Sequence, residues 1–168
     1  MQVKPDLPFS SLPDLSGTSG CAAYQFRRTS RAVARFYDAA LAASGLRSTQ
    51  FAILTAIAKL QPVAISRIAG ILVIDSTTMT RSLRLLQKEG LLEIAPRGKR
   101  RQRLLTLTSK AEKALAIAVP LWREAQVRFL SSLGDKPWKD FRDELEHAAE
   151  VAVSLEHSGS GKDASENK

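Results

Sequence analysis

Between residues 21 and 156 the apolar residues of this chain fall at intervals of three and four almost throughout, and the pattern is broken once, between positions 91 and 108, where it alternates. Spacing of three and four gathers apolar side chains on one stripe of an α-helix, whereas alternation gathers them on one face of a strand. The chain is therefore expected to be mostly α with a small β-hairpin. The exceptional stretch reads Leu91, Leu92 and Ile94, then Pro96, Arg97, Gly98, Lys99, Arg100 and Arg101, then Leu105 and Leu107 alternating with Thr106 and Thr108. Two short strands around a basic tip are the expectation.

Helices are predicted on either side of it. The first runs from about Cys21 to Ala43, with Phe26, Ser30, Val33, Tyr37 and Leu41 on one face, Arg27, Arg28, Arg31 and Arg35 on the other, and Gly45 as the stop. The second starts at Ser48 as N-cap, carries Phe51, Leu54 and Ala58 on one side, and is closed by Pro62. A short third helix, about Ser66 to Val73, presents Ile68, Ala69 and Leu72. Asp75 caps a fourth, Ser76 to Glu89, with Met79, Leu83 and Leu86 on one stripe and Gly90 at its end. Beyond the hairpin, Ser109 and Glu112 form a capping box that opens a long helix to about Leu133, with Leu115, Val119, Trp122, Phe129 and Leu133 in register and Pro120 bending it. A last helix begins near Asp135 and Pro137 and carries Trp138, Phe141, Leu145, Ala148, Ala152 and Leu155. Residues 1–20 and 157–168 lack a period and read as flexible tails.

Charge narrows the function. Twenty-five Lys and Arg against seventeen Asp and Glu give +8, a balance that favours a polyanionic partner where the cations cluster. No apolar run approaches the length of about 20 residues that a membrane span needs, and the N-terminus carries Pro5, Asp6, Pro8 and Pro13 where an export signal needs an apolar run. With Cys21 as its one cysteine, the chain reads as cytoplasmic. An enzyme is disfavoured: His147 and His157 lie together near the C-terminus, and no Gly-rich phosphate loop, metal-spaced cluster or nucleophile–base pattern accompanies them. No metal and no cofactor is expected.

The cations do cluster. On the fourth helix the face opposite Met79, Leu83 and Leu86 carries Thr77, Arg81, Arg84 and Lys88, and the first turns add the hydroxyls of Ser76, Thr78 and Thr80. Hydroxyls at a helix start suit phosphates and thymine methyls, and arginines a turn or two later can pair bidentately with guanine in a major groove. Alone, such a face is ordinarily a solvated one. The hairpin that follows holds Arg97, Lys99, Arg100, Arg101 and Arg103 without one acid, a concentration that mutual repulsion disfavours unless a polyanion is near. A basic hairpin directly after a pair of short helices is the layout of a winged helix-turn-helix, in which the wing meets the DNA backbone or minor groove.

Four runs carry a further signal: Gly45 to Leu54 (GLRSTQFAIL), Asp75 to Arg81 (DSTTMTR), Glu89-Gly90-Leu91-Leu92, and Arg100-Arg101 through Leu107-Thr108. On these residues the chain, from about Cys21 to Leu133, resembles the MarR family of transcriptional regulators. The resemblance implies one domain over 21–156, with a winged helix-turn-helix at about 46–108 and dimerisation helices at about 21–44 and 109–156. It further implies a homodimer on an inverted-repeat double-stranded DNA operator, and repression released by a small ligand or oxidant. By the same resemblance the effector cleft involves Tyr24, Arg28, Phe36 and Trp122, and Cys21 is similar to cysteines that some members use to sense oxidants. Where family wings carry Asp before two arginines this chain has Lys99, and Ala111 replaces a Gly after the Leu-Thr pair. The rival reading is a helical dimeric protein-interaction module without specific DNA binding, for which five cations in the hairpin serve no purpose.

Overall fold

The computed structural model describes residues 16–95, 103–134 and 137–160. Among them are the helices α1 (Ala22–Leu41), α2 (Ser48–Leu60), α3 (Ile65–Ile71), α4 (Ser76–Lys88), α5 (Ser109–Ser132) and α6 (Trp138–Ser160), and the strands β1 (Val63–Ala64), β2 (Leu92–Ile94) and β3 (Leu104–Leu107). The strands form an antiparallel sheet in the order β1-β3-β2, with Leu92 opposite Leu107, Ile94 opposite Leu105, and Val63 also opposite Leu105. The expected winged arrangement is present, and β1 is the element that sequence reasoning lacks. At two residues it is too short to alternate, so only its pairing to β3 defines it.

The described residues group into two compact units, one ending at Trp122 and one beginning at Arg123. In the first unit, Leu41 of α1, Ile53, Leu54 and Ile57 of α2, Ile68 of α3, Met79, Leu83 and Leu86 of α4, and Leu92 and Leu105 of the sheet are buried together. Burial of such side chains stabilises by about 1.5–3 kcal/mol each, and this fixes the α3–α4 pair on the sheet. The inward face of α2 is Ile53, Leu54 and Ile57, and Ala58, expected inside, is exposed. Leu115 is buried in this core and the Trp122 ring stacks on Phe51 at 6.0 Å, so these two members of the expected α5 stripe are occupied within the protomer.

Helix ends differ from the local expectation where tertiary partners intervene. Ser48 is not a cap but the first helical residue of α2, and its N–H donates to Asp38 Oδ1 of α1 at 2.7 Å. Arg47 precedes the helix, and its N–H donates to Gln50 Oε1 at 2.9 Å. Likewise α5 is capped by Thr108 rather than Ser109: Thr108 Oγ1 accepts from the Ala111 N–H at 3.2 Å and donates to the Gly90 carbonyl at 2.7 Å. α1 stops at Leu41 and continues as a 3-10 turn over Ala42–Ser44, terminated by Gly45 at φ 73°. Residues 16–20 form a further 3-10 turn, and α6 extends to Ser160, four residues into the segment read as a tail. α5 passes through Pro120 without ending.

In the second unit, Leu130, Leu133, Trp138 and Phe141 line a cleft of about 300 Å³, and the Trp138 and Phe141 rings lie 5.9 Å apart. Val127, Leu133, Phe141, Leu145, Val151 and Leu155 remain exposed. No helix among the described residues is long and apolar enough to cross a membrane.

Candidate nucleic-acid interface

The site is built on α4. Asp75 stands in extended backbone just before it, and its Oδ1 accepts from the amides of Thr77 at 3.0 Å and Thr78 at 2.9 Å. Those bonds satisfy two of the donors that a helix start leaves open. Hydrogen bonds from Thr78, side chain first and then backbone, hold the Asp75 carboxyl below the usual range. On the inner stripe Met79 is 0% exposed, Leu83 2% and Leu86 1%. The helix is thereby held in one rotation about its axis, which leaves Ser76, Thr77, Thr78, Thr80, Arg81, Arg84 and Lys88 exposed. Thr80 Oγ1 donates to the Ser76 carbonyl at 2.7 Å. Among the described residues no carboxylate pairs with Arg81, Arg84 or Lys88. The result is an outer face of hydroxyls and uncompensated cations on a rigid back, the chemistry that phosphates and guanine edges accept.

The far end of α4 is tied down by residues that sequence reasoning did not assign to positioning. Gln50 Nε2 of α2 donates to Glu89 Oε2 at 2.8 Å, and Lys110 Nζ of α5 donates to the Glu89 carbonyl at 2.7 Å. The Leu91 N–H reaches the Leu86 carbonyl at 2.9 Å and the Gly90 N–H the Gln87 carbonyl at 3.0 Å, with Gly90 at φ 71°. This is the glycine-terminated helix end that the sequence predicts. Gln61 Oε1, at the end of α2, accepts from the Leu107 N–H at 2.8 Å and couples α2 to β3. Pairs such as Gln50 and Glu89, 39 residues apart, follow no local spacing, and only the tertiary fold brings them together.

The hairpin is closed at its base by the Ala95 N–H on the Leu104 carbonyl at 2.9 Å, and Arg103 is exposed where β3 begins. Arg97, Lys99, Arg100 and Arg101 lie outside the described residues.

The residues expected in an effector cleft lie on two helices, α1 and α5. Tyr24 and Arg28 are exposed on α1, Phe36 meets Tyr37 edge-on at 5.2 Å, and Trp122 stacks on Phe51. None of them lines the 300 Å³ cleft or the open depression bordered by Phe26, Arg27, Ser30 and Arg31. Cys21 is a free, exposed thiol just ahead of α1.

Residues 46–97 match the model of the MarR family. A DNA-bound crystal structure of the M. tuberculosis transcriptional regulator MosR is similar over 80% of this chain and 98% of its own, with 34% identity and a TM-score of 0.74. The HTH-type transcriptional regulator YwoH of Bacillus subtilis is 26% identical over 125 residues, covering 74% of this chain and 85% of YwoH. The PcaV regulator of Streptomyces coelicolor, solved with its natural ligand, shares the fold at a TM-score of 0.70 and 20% identity over 84% of this chain and 99% of its own. The α4 face, the hairpin behind it and these likenesses agree, and this chain belongs to the MarR family of winged helix-turn-helix transcriptional regulators.

Proposed function

We propose that this chain is a sequence-specific repressor that grips double-stranded DNA as a homodimer and is released by a small ligand or an oxidant. The observation that carries the reading is the outer face of α4, where Thr77, Thr78, Arg81 and Arg84 stand exposed over a buried apolar back. Set in a major groove, Arg81 and Arg84 offer bidentate donors to guanine, while Ser76, Thr77, Thr78, Thr80 and Lys88 hold phosphates or touch a thymine methyl. The hairpin cations Arg97, Lys99, Arg100, Arg101 and Arg103 add sequence-independent attraction to the backbone. The protein works by binding, without catalysis or a cofactor, in the cytoplasm.

A dimer is supported by the uncovered apolar side chains of the second unit and by α1, whose residues 22–32 are all exposed. We assign the two-fold contact to α1, α5 and α6. Such symmetry sets the two α4 helices about 34 Å apart on one side of the duplex and calls for an inverted-repeat operator. The MosR and PcaV structures hold DNA and a ligand respectively, which is the pair of partners that a releasable repressor needs. Tyr24, Arg28, Phe36 and Trp122 are candidates for the ligand, and the Cys21 thiol for the oxidant. Selection of bound sequences from a random DNA pool tests the reading: an inverted repeat is expected, and a pool that stays random after several rounds would overturn it.

A further inference from the structure

The DNA-binding surface leaves one strongly charged face of the protein unused. At 100° per residue, Tyr24, Arg27, Arg28, Arg31 and Arg35 of α1 fall on one stripe about 100° wide, and all five are exposed. The helix holds a single carboxylate, Asp38, which accepts the Ser48 N–H of α2. Arg31 Nε donates to the Arg27 carbonyl at 3.2 Å, and no carboxylate among the described residues pairs with any of the four guanidiniums. Four uncompensated guanidiniums within nine residues repel one another, and an anionic surface laid against them removes that penalty.

The opposite charge sits on α6. This helix carries Asp140, Asp143, Glu144, Glu146, Glu150 and Glu156 against two cations, Lys139 and Arg142. Both cations are already paired, Lys139 with Asp143 at 2.7 Å and Arg142 with Asp143 and Glu146 at 3.1 and 3.5 Å. Asp140 and Glu144 have no cation among the described residues and share one side of α6 with Val151 and Leu155, both exposed, Leu155 at 67%. The α1 stripe has a matching apolar member in Tyr24, which is 56% exposed. Spacing agrees as well: residues four apart lie about 6 Å apart along a helix axis, the interval of Arg27, Arg31 and Arg35 on one helix and of Asp140 and Glu144 on the other.

We propose that the arginine stripe of α1 docks on the Asp140–Glu144 side of α6 in a second copy of this chain, once in each direction across the two-fold axis. The inference rests on the dimer proposed above and adds what chooses the partner. Charged rows flanking an apolar seam select which helices associate and reject those with like charge, so this pairing sets self-recognition and weakens as salt rises.

Reciprocal charge reversal tests it in the full-length protein. One variant carries Arg31→Glu with Arg35→Glu, and the other Asp140→Arg with Glu144→Arg, with helix content checked by circular dichroism. By sedimentation, each variant alone should self-associate at least about tenfold more weakly than wild type, because like charges then face each other. An equimolar mixture should recover a dimer containing one copy of each, since in that pair both contacts unite opposite charges. If both variants dimerise as wild type does, the charged pairing is wrong and the dimer stands. If each is weakened but mixing rescues nothing, the contact does not run between copies and the proposal fails. A wild-type monomer at micromolar concentration overturns the dimer reading itself.

Discussion

Replacing Gly90 by alanine isolates the backbone strain at the exit of α4 from any question of contacts. Gly90 has φ +71°, and a Cβ built there meets nothing closer than the flexible Lys110 side chain at 3.9 Å, an ordinary contact. The cost is therefore conformational: an L-residue in the left-handed region is disfavoured by about 1–2 kcal/mol, partly offset by about 0.4–1 kcal/mol from the stiffer unfolded chain. Net destabilisation of about 1 kcal/mol lowers Tm by about 2–4 °C in a protein of this size. Gly70 is the internal control, since it lies within α3, meets nothing within 4 Å of an added Cβ, and lacks the positive φ. There the same substitution should stabilise by about 0.5–1 kcal/mol. Urea titrations of the two variants at one fixed protein concentration read both signs. A Gly90→Ala protein as stable as wild type, or two shifts in the same direction, would refute the assignment of Gly90 to a strained helix end.

Arg84→Ala should reduce the ratio of operator to random-duplex affinity by about 5- to 150-fold, or about 1–3 kcal/mol, in fluorescence anisotropy; an unchanged ratio restricts Arg84 to the backbone. Neutralising Arg100 and Arg101 together should weaken specific and non-specific binding alike and flatten the plot of log affinity against log salt by about 0.9 for each phosphate no longer neutralised, so an unaltered slope means that these two arginines touch no phosphate. Hydrogen bonds from the Ser48 side chain and amide hold the Asp38 carboxyl below its usual value. A lowered pKa contributes stability above the unfolded value of about 3.9 and loses it as pH falls through the folded one. Asp38→Ala should accordingly melt below wild type at neutral pH, with the gap closing in acid, and a gap of equal size at both ends of the titration contradicts the assignment. Cys21→Ser should fold and bind DNA as wild type does, and mild peroxide should weaken the operator binding of wild type alone; equal responses of the two proteins remove Cys21 from sensing.

Much of the fold was legible because α4 and the hairpin state themselves locally. Asp75 before a helical stripe, Gly90 after it, and alternation on either side of a basic tip are signals with short reach, and each appears where it was expected. The misses have longer reach. Ser48 resembles a cap by type, yet a carboxylate ten residues away takes its amide, and β1 exists only through its pairing to β3. Trp122 and Leu115 fit an interface stripe by spacing, but periodicity cannot tell which partner a helix face meets, and the protomer's own core claims them. For the candidate site, the outward face of α4 follows from its inner stripe alone. The ties that aim it, from Gln50 to Glu89 and from Lys110 to the Glu89 carbonyl, depend on tertiary neighbours that no local spacing announces.

The central claim is that two α4 helices, related by a two-fold axis, read two half-sites on one side of the duplex. Once the operator has been selected, its affinity can be compared with that of the same sequence carrying five extra base pairs between the half-sites. About half a helical turn then places the half-sites on opposite sides. The account predicts that binding falls to the level of a single half-site. Affinity that ignores the insertion would contradict it.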